Sequence, residues 1–171
     1  MSDTLERKSS LGNLSVSDEG VITGIAWPFG SPDRIGDMIE PKAFGGIETP
    51  IPMLAYHNTE QPVGVWDNVE VTTKGVEVTG RLLVNDVAAA REMHALVKAG
   101  GITGLSIGFQ TLEAKGTRGV ARTISRLKLH EISLVTIPSH PGARVRTVKS
   151  AVTAFSIAAL ISDAANNIKL I

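Results

Sequence analysis

Between residues 21 and 137 the apolar side chains come in runs of strand length, separated by Gly- and Pro-containing turns, and only one stretch carries a helical stripe. A chain patterned this way closes its core with sheet rather than with a helix bundle. Strands are predicted over residues 21–27, 51–56 (ending at His57), 63–71, 76–84, 104–112 and 120–137, the last stopped by Pro138. Thr72-Thr73-Lys74-Gly75 joins two of them into a hairpin, in whose second arm Val76, Val78 and Leu82 alternate with Glu77, Thr79 and Arg81. The one clear helix is expected from a cap at Asn85 or Asp86 to Gly100-Gly101, with Val87, Ala90, Leu96 and Val97 as its apolar stripe. Residues 1–18 read as a loose polar arm, 19–149 as the folded domain, and 150–171 as an apolar terminal helix suited to a dimer contact or to removal by self-cleavage. The expected fold is α+β and mainly β, an antiparallel β-barrel-like core flanked by helices.

Composition removes whole classes of chemistry. The 171 residues include no cysteine, which excludes a thiol nucleophile, a thiolate-held zinc and a disulfide framework. Seventeen basic and seventeen acidic residues cancel, so nothing global recommends nucleic acid or an anionic membrane as partner. The opening residues lack the apolar core of a secretory signal, and the longest apolar run is too short to cross a bilayer. An intracellular protein without cofactor or metal is expected. Acid–base chemistry then falls to four histidines: His57, His94, His130 and His140.

Gly104-Leu105-Ser106-Ile107-Gly108 matches G-x-S-x-G, but it runs on into alternating strand sequence instead of the helix that follows a nucleophile elbow. In a strand, Gly104 and Gly108 share the face of Ser106, either clearing room for a substrate or letting another element pack closely. His57, at the end of an apolar strand, is placed to be a base or simply a rim histidine bonded to backbone. His94 reads as a helix-surface residue and His140 as a loop residue. Glu131 shares its parity with Leu127, Leu129, Ser133, Val135 and Ile137, and a carboxylate on such a face needs a partner. A histidine N–H would serve, and so would Arg122 or Arg126.

Five segments taken in order carry a resemblance: Gly24-Ile25-Ala26; Ser31-Pro32-Asp33-Arg34-Ile35-Gly36-Asp37 with Glu40-Pro41-Lys42-Ala43-Phe44; Pro52-Met53-Leu54-Ala55-Tyr56-His57 with Pro62-Val63-Gly64; Gly104 to Phe109; and Leu129 to Pro138. Over about residues 21–148 the chain resembles the HK97-type prohead protease family of tailed bacteriophages, itself distantly similar to the herpesvirus maturational proteases. The resemblance implies a serine endopeptidase acting in the host cytoplasm inside the assembling procapsid. It would cut the scaffolding segment from the major capsid protein, digest itself, and work as a homo-oligomer without nucleic acid or membrane. The family pattern maps the catalytic residues onto His57, Ser106 and Glu131, with His130 as the other possible third member and the 141–144 segment as a source of oxyanion donors. A non-catalytic capsid-assembly or scaffolding protein of the same fold is the alternative. The chain departs from the commoner family pattern at Lys42 and Ala55.

The neutral total hides an asymmetry: residues 115–149 hold eight basic residues and one acid, Glu131, a local charge of +7 balanced by −7 elsewhere. Such a stretch is expected to hold an acidic, scaffold-like partner.

Overall fold

The computed structural model describes residues 17–116 and 122–146. Eight strands and one α-helix follow in the order β1 (Val21–Pro28), β2 (Met38–Ile39), β3 (Ile51–Ala55), β4 (Pro62–Val71), β5 (Gly75–Leu82), α1 (Ala88–Lys98), β6 (Gly104–Lys115), β7 (Thr123–Val135) and β8 (Arg144–Arg146). A 3-10 turn lies at Pro41–Phe44. The strands β7, β3, β4, β5, β1, β8 and β6 are hydrogen-bonded in that order, and β6 pairs back onto β7, closing a seven-stranded barrel. Closure leaves few unpaired strand edges. The mainly β barrel expected from the strand pattern is the fold observed, with one refinement: β2 and β3 both run parallel to β7.

The core is filled by the inward faces of these strands, including Ile22, Met53, Val63, Trp66, Val76, Leu105, Ile132 and Leu134. Each fully buried aliphatic contributes about 1.5–3 kcal/mol. Trp66 also donates its indole N–H to the Ile132 carbonyl at 2.9 Å, tying β4 to the middle of β7. The 72–75 hairpin forms as its sequence predicts, with Val76, Val78 and Leu82 inward.

Helix α1 differs from its expectation at both its start and its stripe. Neither Asn85 nor Asp86 caps it; they lie in a turn, and Val87 is the cap residue, without a side-chain bond. Met93 packs inward with Ala90 and Val97, while Leu96 is 44% exposed. The expected arm over residues 1–18 lies outside the described residues except for 17 and 18, and the terminal helix over 150–171 lies wholly outside them.

The most consequential difference is in β7. Leu129 pairs with Phe109 and Glu131 with Gly108, so His130 is an extra residue, a β-bulge. The bulge reverses the side-chain alternation. Leu127 and Leu129 face the core with Phe109, and beyond the bulge it is Ile132 and Leu134 that continue this face, opposite Ile107 and Leu105. Glu131 and Ser133 therefore turn to the other side, with Gly108 and Ser106. The parity that grouped Glu131 with Leu127 and Leu129 does not hold.

Candidate active site

β3 delivers the histidine. Tyr56 and His57 both adopt left-handed backbone (φ 54° and 60°), which turns the chain sharply at the end of the strand. Non-glycine residues in that region cost about 1–3 kcal/mol each and need surrounding contacts to hold them. Those contacts come from β7: the Tyr56 N–H donates to the Leu134 carbonyl at 3.1 Å and the His57 N–H to the Ser133 hydroxyl at 3.0 Å.

The ring of His57 then spans β6 and β7. Its Nδ1–H donates to Oε1 of Glu131 at 2.7 Å, and its Nε2 accepts the Ser106 hydroxyl at 2.9 Å. The structure thus brings together His57, Ser106 and Glu131, and the carboxylate fixes which imidazole nitrogen is free to take a proton. Glu131 is 8% exposed and Ser106 4%, while the histidine ring remains half open to solvent. The hydrogen bond to Glu131 raises the His57 pKa above its ordinary 6.5, against the opposing effect of partial burial and with help from the carboxylate charge.

Neither arginine considered for Glu131 reaches it. Arg122 grips Asp37 through two bonds of 2.6 and 2.7 Å, and Arg126 pairs with Glu113. Arg146 pairs with Glu77, so three of the eight basic residues of the 115–149 stretch are paired within the molecule. His130 is the exposed bulge residue and makes none of the described hydrogen bonds of the site. His94, half-buried rather than a surface group, donates to the Ser17 carbonyl.

The two glycines of G-x-S-x-G make room for the protein itself. A Cβ at Gly108 would strike the Glu131 carboxylate, and one at Gly104 would come within 2.8 Å of Pro138 and of the Val135 carbonyl. Close packing, rather than space for a substrate, is what this strand requires. In the 141–144 segment the Gly142 N–H donates to Nδ1 of His140 and the Ala143 N–H to the His140 carbonyl, so neither is free for an oxyanion.

Two serines with no role expected from sequence join the site, and His140, expected only as a loop residue, braces it. Ser133 donates its hydroxyl to Oε2 of Glu131 at 2.6 Å; lying two residues beyond Glu131 on a strand, it shares that residue's face, a signal readable from period alone. Ser139 stands 3.3 Å from Oγ of Ser106. His140, buried against Trp27 with ring centroids 4.9 Å apart, bonds the Ser31 carbonyl and so fastens the Ser139 loop to the 31–37 loop. The two His140 contacts, with Trp27 and Ser31, span more than a hundred residues, and no local pattern marks them.

A hydroxyl, an imidazole and a buried carboxylate are bonded in series on a closed β barrel, the arrangement that serine hydrolases use. The chain belongs to the caudovirus prohead serine protease family, whose model matches residues 4–157. It is 38% identical over 151 residues to a capsid polyprotein of Pseudomonas phage PAJU2, an alignment covering 83% of this chain and 22% of that protein. It is 32% identical over 139 residues to the prohead protease of Enterobacteria phage HK97, covering 77% and 61%. The chain therefore spans less than two thirds of either relative. Among solved structures the KSHV protease, in complex with a hexapeptide phosphonate inhibitor, shares the fold, with a TM-score of 0.50 at 15% identity over 73% of this chain and 63% of that one.

Proposed function

We propose that this chain is a serine endopeptidase of phage capsid maturation, with Ser106 as nucleophile, His57 as general base and acid, and Glu131 as the group that orients and supports the imidazole. The observation that carries this reading is the unbroken series Ser106 Oγ to His57 Nε2 at 2.9 Å and His57 Nδ1 to Glu131 Oε1 at 2.7 Å. Ser106 transfers its hydroxyl proton to His57 as Oγ attacks a peptide carbonyl, giving a tetrahedral oxyanion. Glu131, bonded to Nδ1, stabilises the imidazolium. The imidazolium returns that proton to the leaving amine, the C–N bond breaks, and an acyl-serine remains. Water, deprotonated by His57, hydrolyses the ester and Ser106 regains its proton.

The substrate we assign is the major capsid protein at its scaffolding segment, with self-cleavage inside the procapsid in the host cytoplasm, and a homo-oligomer as the working state. The family and the phage relatives support a role in capsid maturation, and the self-cleavage and the homo-oligomer are proposed with it. Co-expression with the capsid protein of the same phage tests it: the wild-type chain is expected to convert the capsid protein to a shorter form, and Ser106→Ala to leave it whole. Processing that continues with Ser106→Ala would overturn the assignment.

A further inference from the structure

A cavity of about 290 Å³ opens beside the nucleophile, lined by Asp33, Arg34, Ile35, Ile137, Pro138 and Ser139. Its link to Ser106 is direct: Ser139, part of the lining, has its hydroxyl 3.3 Å from Ser106 Oγ. The walls are firmly joined. The Arg34 main-chain N–H donates to the Ser139 carbonyl at 3.0 Å, and the Arg34 guanidinium donates through Nε to the Pro138 carbonyl at 3.2 Å. Asp33 uses one carboxylate oxygen to accept the N–H groups of Ile35 and Asp37, shaping its own loop. Each charged residue of the lining is anchored to backbone, Arg34 through Nε and Asp33 through one carboxylate oxygen.

What faces a ligand is then mostly aliphatic. Ile35 is 80% exposed and Ile137 74%, the two most exposed large apolar side chains among the described residues, and both line this one cavity. Isolated exposed apolar residues are ordinary, but a pair flanking a cavity within one side-chain length of a nucleophile forms a recognition surface. The volume lies just below the range of whole-ligand sites, which suits one side chain of a longer substrate.

Resting on the proposed peptidase activity, we propose that this cavity is the specificity subsite of the enzyme, accepting an aliphatic side chain of the substrate residue adjacent to the scissile bond, with Ile35 and Ile137 as the residues that select it. A charged side chain seated between Ile35 and Ile137 would lose hydration that these aliphatic walls cannot replace.

A peptide library randomised at each position and read by mass spectrometry tests the assignment. Wild-type protein is expected to prefer Leu, Ile, Val or Met over Asp, Lys and Ala about tenfold at one of the two residues flanking the cleaved bond. The double variant Ile35→Asn/Ile137→Asn is expected to flatten that preference, and Ile35→Val to retain it. Absence of an aliphatic preference at both flanking positions, or its survival in the double variant, overturns the subsite. Failure of the peptidase reading looks different: wild-type protein would cleave no member of the library and would not react with a small fluorophosphonate at Ser106.

Discussion

The Ser133 hydroxyl donates to Oε2 of Glu131 at 2.6 Å while its oxygen accepts the main-chain N–H of His57 at 3.0 Å. With the bond from His57 Nδ1–H to Oε1, the three residues close a ring in which each holds the next. Hydrogen bonds to charged groups contribute about 1.5–3 kcal/mol. Ser133→Ala is therefore expected to lower kcat on a capsid-derived peptide by about 10–100-fold with little change in KM, and Ser133→Thr to restore most of it. Steady-state kinetics on the two variants checks this.

Glu131→Gln tests the electrostatic half of the ring. His57 acts as a base only when neutral, so its raised pKa places the acid limb of the kcat/KM profile above the ordinary 6.5. Without the carboxylate charge, that limb is expected to move to lower pH. The maximal rate should fall by about 10⁴-fold, because an amide no longer enforces the productive tautomer. Stability follows the same sign. A histidine whose pKa is raised on folding contributes stability that is full below the unfolded value and lost as pH rises through the folded one, and this slope is expected to weaken in the variant. A pH–rate profile and pH-dependent melting measure the two effects.

Gly108 has no side chain because Glu131 occupies the space. Gly108→Ala is expected to displace the carboxylate and abolish cleavage, with a stability loss of about 1–3 kcal/mol. Pairing it with Glu131→Ala is expected to recover the stability and leave the activity lost. Thermal melting of the single and double variants separates the steric cause from a backbone one.

Asp37 is buried and held by Arg122 through two bonds that join the 31–37 loop to the chain entering β7. Arg122→Ala leaves that carboxylate buried and uncompensated. The expected outcome is a lower Tm, partly reversed by Asp37→Asn in the same chain, since the amide carries no charge to strand. Differential scanning calorimetry of the variants decides it.

Much of this was legible in the sequence where the deciding interactions are local. The Thr72–Gly75 turn and the alternation after it specify the hairpin, and the segments ending at His57 and centred on Ser106 mark two of the site's residues. The family resemblance marks Glu131 as well, whereas the strand-parity argument for it rests on a premise that the structure removes. The reasoning assumed an unbroken strand, whereas the bulge at His130 turns Glu131 away from Leu129 and toward Ser106. Whether one residue is extra depends on its register with β6, which β7's own sequence does not contain. The phase of α1 failed similarly, because Met93 rather than Leu96 meets the barrel. Ser139 meets Ser106 across the fold, and His140 braces its loop through a contact with the distant Ser31 loop.

Ser106, activated by His57, is the proposed nucleophile. Mass-spectrometric mapping of the chain after treatment with a fluorophosphonate tests this most directly. A single phosphonate adduct on Ser106 is expected, absent in His57→Ala and forming more slowly as pH falls through the His57 titration. An adduct on another serine, or labelling of Ser106 at an equal rate in His57→Ala, would contradict it.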